Sequence, residues 1–241
     1  FLWISDVSTK VPIDPNNIPN IAAGTAFAVN ADGFFVTNEH VVRNCSSVGL
    51  VINNKTYSAE VHNKNSELDI AIIKAPSSLT NSYIKFAKEV KTGQSITSLG
   101  FPLAFDLGTE IKVTTGIISS MNGYQGDNTN FQFTAPIQPG NSGGPIINPG
   151  GDVIGVAVAN YGKKEGIESF NFGVKSSTLR TFAKSNGLNF QSPNVKDLSN
   201  KDLGKLIINA TVYLECYMTE AKIQTLIAEE NSKKAFFNKY K

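Results

Sequence analysis

Only two histidines occur in the 241 residues, and one of them, His40, stands where an imidazole can serve as a base. In Phe35-Val36-Thr37-Asn38-Glu39-His40-Val41-Val42 a strand-like apolar run stops at Asn38, and His40 begins the next turn. An imidazole at the end of a rigid strand is well placed for general base work near neutral pH. His62, in the polar stretch Val61-His62-Asn63-Lys64-Asn65, reads as a surface residue instead. A nucleophile is offered by Gln138-Pro139-Gly140-Asn141-Ser142-Gly143-Gly144-Pro145, where three glycines and two prolines surround one serine. A reactive serine needs neighbouring N–H groups aimed at a developing oxyanion. Glycines allow the unusual dihedrals this takes. A plain glycine-rich turn would carry the same letters.

Chain order narrows the chemistry. The stretch around Ser142 matches G-x-S-x-G, the nucleophile elbow of α/β-hydrolases, which requires a later histidine. None follows Ser142. The order Asp, His, Ser would need Asp6, Asp14 or Asp32, and none of these lies in a buried-looking strand. His, Asp, Ser remains, with Asp69, Asp106 and Asp127 as candidates. Asp69 heads Leu68-Asp69-Ile70-Ala71-Ile72-Ile73-Lys74, at the mouth of an apolar strand, where a carboxylate can be desolvated and fixed. Asp127, in Gly126-Asp127-Asn128-Thr129-Asn130, and Asp106 both read as loop residues.

The elements that must position these side chains read as all-β. Short β-rich runs start at Thr25, Phe34, Ser47, Tyr57, Ile70 and Ser95, and resume at Lys112, Asn130, Pro145, Val153 and Ser169. Turn chemistry separates them at Asp32-Gly33, Asn53-Asn54, Pro149-Gly150-Gly151 and Tyr161-Gly162. Many short strands at near-regular spacing indicate an antiparallel sandwich or barrel. Residues 1–20, with three prolines, read as an arm or linker. Ser177 to Asn186 reads as a short helix ended by Gly187. Beyond Pro193, Leu203, Ile207, Ala210, Leu214, Met218 and Ala221 recur at three and four residues, so 189–241 reads as a helical tail.

Composition excludes several classes. A net charge of +2 argues against nucleic acid as partner. No apolar run is long enough to span a membrane, and Phe-Leu-Trp-Ile at the start lacks the basic region of a signal peptide. Two histidines and two distant cysteines give no metal-ligand cluster, and no cofactor motif appears. Cys45 and Cys216 can be bridged, but two buried thiols is the reading that two cysteines favour.

Together the motifs resemble the trypsin-like serine peptidases, and within them the HtrA/Deg branch. The matching text is Gly24-Thr25-Ala26-Phe27, Thr37 to Val42, Leu68 to Ala71, Gly140 to Pro145 and Gly151 to Val156, within about residues 21–187. The resemblance implies two six-stranded antiparallel β-barrels at 21–188, divided into 21–105 and 106–188, followed by a helical appendage. It implies a serine endopeptidase whose triad is His40, Asp69 and Ser142, with backbone N–H groups of Gly140, Asn141 and Ser142 at the oxyanion. Pro136, Ile137, Gln138, Val158, Ala159, Asn160 and Asn171 would line the pocket before the cut bond. With Pro136 where trypsin has its aspartate and Ala157 where glutamate-specific relatives have histidine, that pocket should favour small or medium aliphatic residues. Asn141 replaces the aspartate that captures a cut N-terminus in digestive relatives, so activation by such cleavage is not expected. The segment after Gly187 is too short and too helical for the PDZ domain common in that branch. Substrates would be proteins or peptides, including unfolded ones, and the place of work extracytoplasmic. The tail, through Phe236, Phe237 and Tyr240, could join copies of the chain. The competing reading is a catalytically silent homologue that binds peptides.

Overall fold

A computed structural model of the chain describes residues 20–158, 171–191, 193–194 and 197–239. Twelve strands run in the order β1 (Asn20–Ala28), β2 (Phe34–Thr37), β3 (Ser47–Ile52), β4 (Lys55–Asn65), β5 (Ile70–Lys74), β6 (Ser95–Gly100), β7 (Lys112–Ser120), β8 (Asn130–Phe133), β9 (Pro145–Ile147), β10 (Val153–Val158), β11 (Asn171–Lys175) and β12 (Thr211–Tyr217). Among the described residues five α-helices accompany them: α1 (Glu39–Val42), α2 (Ala104–Leu107), α3 (Ser176–Ser185), α4 (Asn200–Ala210) and α5 (Glu220–Lys239).

The strands close into two antiparallel barrels, β1-β12-β3-β4-β5-β2 and β10-β11-β8-β7-β6-β9. Each barrel fills its own interior. Ala26, Ala28, Phe35, Leu50, Ala71, Ile73 and Leu214 pack in the first. Phe131, Phe133, Ile146, Ile154 and Ala157 pack in the second. A third cluster lies between them, with Phe27, Val36, Ile70 and Ile72 meeting Leu99, Val153, Val156 and Val174. β1, β5 and β10 are therefore apolar on both faces, one turned into a barrel and one towards its neighbour. That is why Ile70-Ala71-Ile72-Ile73 reads as an unbroken apolar run and not as an alternation.

Three expectations need correction. The tail is not simply a helical appendage. Its residues Thr211–Tyr217 form β12, which is inserted between β1 and β3 and pairs with both. Val212 and Leu214 point into the first barrel, while Tyr213 meets Phe101 on the opposite side. Residues four apart share a face in a strand as well as in a helix, so Leu214 and Met218 fit both periods. The β-branched and aromatic content of Thr-Val-Tyr-Leu-Glu-Cys-Tyr was the discriminating signal. The division of barrels also moves. β6 belongs to the second barrel, and the first takes its sixth strand from beyond residue 210.

The cysteines are the third correction. Cys45 and Cys216 form a disulfide. They are brought together because β3 pairs with β12 at Val48 and Cys216, which places the turn after α1 beside the end of β12. The segment joining α3 to α4 is held as well: Asn194 N–H donates to Asp152 Oδ1 at 2.9 Å, and Asn194 Nδ2 to the Gly150 carbonyl at 2.8 Å. Phe236 and Phe237, in α5, and Tyr240 lie outside the residues whose side chains are described, as do 1–19.

Candidate active site

His40 is set by two elements of the first barrel. β2 ends at Thr37, whose buried hydroxyl donates to the Thr25 carbonyl at 2.8 Å. Asn38 then leaves the strand in an extended conformation, and α1 turns His40 outward to the cleft. Glu39, beside it, is buried and paired with Arg43 at 2.7 Å and Lys64 at 3.6 Å, which holds this short helix down.

Asp69 stands immediately before β5, with φ 51°. Both carboxylate oxygens engage His40: Oδ1 accepts the His40 backbone N–H at 2.9 Å, and Oδ2 lies 2.8 Å from Nδ1. The carboxylate thus fixes Nδ1 as the protonated ring nitrogen and turns Nε2 outward as an acceptor. His62 packs edge-on against Phe34 at the surface, away from this pair.

Ser142 comes from the loop between β8 and β9. Gly140 and Gly143 have φ 100° and 84°, conformations that favour glycine. At Gly143 a Cβ would lie 2.1 Å from Thr37 Oγ1 and 2.9 Å from Asn38 N, so only glycine lets this loop approach the strand that carries His40. The loop is laced to both barrels. Thr25 N–H donates to the Ser142 carbonyl at 2.9 Å, Thr25 Oγ1 to the Gly140 carbonyl at 2.7 Å, and Gly143 N–H to the Ala157 carbonyl at 3.0 Å. Among the described residues no hydrogen bond joins the His40 ring to the Ser142 hydroxyl. In substrate-free enzymes such contacts are often long and tighten on binding.

The three expected oxyanion donors do not behave alike. Asn141 N–H already donates to the Gln138 carbonyl at 3.0 Å, so Asn141 leaves the set. Among the described residues the Gly140 and Ser142 N–H groups have no protein acceptor.

The pocket residues are placed in part. Ile137, Val158 and Asn171 are buried, whereas Pro136 and Gln138 are exposed. Asn171 Nδ2 donates to the Ala135 carbonyl at 2.8 Å, tying β11 to the loop that leads to Ser142. Ala159 and Asn160 lie outside the described residues. A cavity beside the pair is lined by Leu68 and Asp69 of the first barrel and by Asp127, Asn130, Val158 and Phe172 of the second. Asp127 is the loop carboxylate that sequence order left open. Burial pushes its carboxyl up, but hydrogen bonds from Thr129 and Asn130, with Lys175 nearby, outweigh this and hold it below the ordinary range. It serves its own turn and not the imidazole. Sequence reasoning missed Thr25 and Asn38, the polar side chains that secure the loop and the backbone of Asp69. Only their places in the quoted motifs could have flagged them. Among the described residues no group of histidine, cysteine, aspartate and glutamate could hold a metal ion.

Two closed six-stranded antiparallel barrels define the trypsin-like class of serine peptidases. The chain belongs to that family: residues 24–156 match the trypsin-like peptidase domain. It is 32% identical, over 66% of its length, to a probable periplasmic serine endoprotease, DegP-like, of Rhizobium meliloti (strain 1021). It is likewise 32% identical, over 70% of its length, to the magnetosome formation protease MamE of Paramagnetospirillum magneticum (strain ATCC 700264 / AMB-1). Those matches cover 32% and 25% of the two relatives, so the chain spans a quarter to a third of their length. Among solved structures, the HtrA-type protease AlgW with decapeptide superposes with a TM-score of 0.59 at 25% identity, over 68% of this chain and 51% of that one. The resemblance to the HtrA/Deg branch is thereby shown, and residues 188–239 hold no PDZ domain among the described residues.

Proposed function

We propose that the chain hydrolyses peptide bonds as a serine endopeptidase, with Ser142 as nucleophile, His40 as base and then acid, and Asp69 as the group that orients His40. Ser142 Oγ would attack the scissile carbonyl while His40 Nε2 takes its proton, forming a tetrahedral oxyanion. Collapse of that intermediate would release the amine, protonated by His40, and leave an acyl-enzyme that water then hydrolyses. The Gly140 and Ser142 N–H groups, without a protein acceptor, are the donors suited to the oxyanion. The observation that carries the reading is the double engagement of Asp69 with His40, through backbone N–H and ring Nδ1. An isolated surface ion pair has no reason to use both oxygens on one residue.

The apolar character of Ile137 and Val158 supports cleavage after small or medium aliphatic residues. Protein substrates and an extracytoplasmic place of work follow the DegP-like relatives described as periplasmic serine endoproteases. The disulfide is consistent with an oxidising compartment. Hydrolysis of unfolded casein by wild type and Ser142→Ala tests the assignment. Loss of the nucleophile should lower turnover on the order of a million-fold. A Ser142→Ala protein as active as wild type would overturn it. Digestion of a peptide library should show Val, Ala or Leu before the cut. Dominance of Lys, Arg or Glu would overturn the specificity.

A further inference from the structure

His40 holds the carboxylate of Asp69, and a different residue holds its backbone. Asn38, fully buried between β2 and α1, donates from Nδ2 to the Asp69 carbonyl at 2.8 Å. Because a carbonyl can only accept, the amide is oriented with its nitrogen towards Asp69. Its own Oδ1 is then left buried without a partner, at a cost to folding. Asp69 itself is in the left-handed region, where a residue with a side chain stays only if its surroundings hold it.

We propose that Asn38 is a positioning residue: its amide fixes the left-handed backbone of Asp69 and so aims the carboxylate at His40. The proposal rests on the triad reading above. Three hydrogen bonds run from residues 38–40 to this one aspartate, at its carbonyl, Oδ1 and Oδ2. The strands do not need the first of them for register, because β2 already pairs with β5 from Phe34 and Lys74 to Thr37 and Ala71. A role in mere cohesion would also be served by an aliphatic side chain, without an orphaned oxygen. The Gly143 turn also comes close to the Asn38 backbone N, so one position lies beside both Asp69 and the nucleophile loop.

The test compares Asn38→Ala and Asn38→Leu, the second filling the space the first empties, with Thr80→Val in the full chain. Thr80 is equally buried and makes two hydrogen bonds, to Ser77 and from Gly33, remote from the site. Two readouts are used: kcat and KM on a peptide substrate, and the far-downfield proton NMR signal of a histidine Nδ1–H bonded to carboxylate. Both Asn38 variants should lose about 100-fold in kcat with KM little changed, as expected when a reacting group is displaced by about an ångström. Their downfield signal should weaken or move. Thr80→Val should lose thermal stability and keep both kcat and the signal. Folded Asn38 variants with kcat and signal at wild-type values would overturn the proposal. A wild type that shows the signal but cleaves nothing would overturn the peptidase reading instead, and loss of the signal in Asn38→Ala would still uphold the positioning role.

Discussion

At the scale of residues, the site separates groups by what holds them. Asp69 is fixed at three atoms, and the prediction at its carboxylate is sharp. Asp69→Asn keeps the shape but can present an amide where His40 needs an acceptor, so kcat should fall about 10⁴-fold with folding retained. A fall of less than tenfold would contradict the role given to it. Asp152 makes a different prediction. Burial pushes its carboxyl up, and the Asn194 N–H, Asn148 and Lys85 only partly oppose this, so its value is raised from 3.8. The folded chain therefore binds this proton more tightly than the unfolded chain does. The contribution is fully present below the ordinary value and is lost as pH rises through the raised one. Asp152→Asn can still accept the Asn194 N–H. Urea midpoints over about pH 3 to 6 should show wild type losing stability relative to Asp152→Asn as pH rises. Parallel curves would contradict the assignment.

At the scale of elements, the instructive case is β12. β5 and the Ser142 loop announced themselves, because the apolar run after Asp69 and the glycines around Ser142 are local signals. β12 did not, because the four-residue spacing of Leu214 with Met218, just past the strand, satisfies two periods and because its partners β1 and β3 lie far away in sequence. The disulfide was illegible for the same reason, since the pairing of Val48 with Cys216 exists only once β12 is in the barrel. In the pocket, Asn171 was legible only through the resemblance, and its bond to Ala135 spans 36 residues. The bridge should matter for stability. It closes a loop with a sequence separation of 171 residues, and replacing both cysteines by serine should cost about 3–5 kcal/mol in chemical unfolding. An unchanged denaturant midpoint would show that the paired strands alone hold β12.

At the scale of the whole molecule, the first barrel is closed by Thr211–Tyr217, so that part of the tail belongs to the barrel. Ending the chain at residue 210 removes β12 and opens the seam between β1 and β3, and such a protein should not fold. Ending it at residue 219 removes only α5, whose Ala221, Lys222, Gln224 and Thr225 are exposed, and should leave folding and hydrolysis intact. Sedimentation of that shorter protein beside the full chain also tests association through the tail, which after the reassignment of 211–217 rests on α5. Covalent labelling shows whether His40 and Asp69 make Ser142 nucleophilic. The protein is treated with a serine-directed phosphonate and the modified peptide located by mass spectrometry. One adduct is expected, on Ser142, abolished in Ser142→Ala and strongly slowed in Asp69→Asn. A folded protein that takes up no phosphonate, or takes it up on another serine, would contradict it.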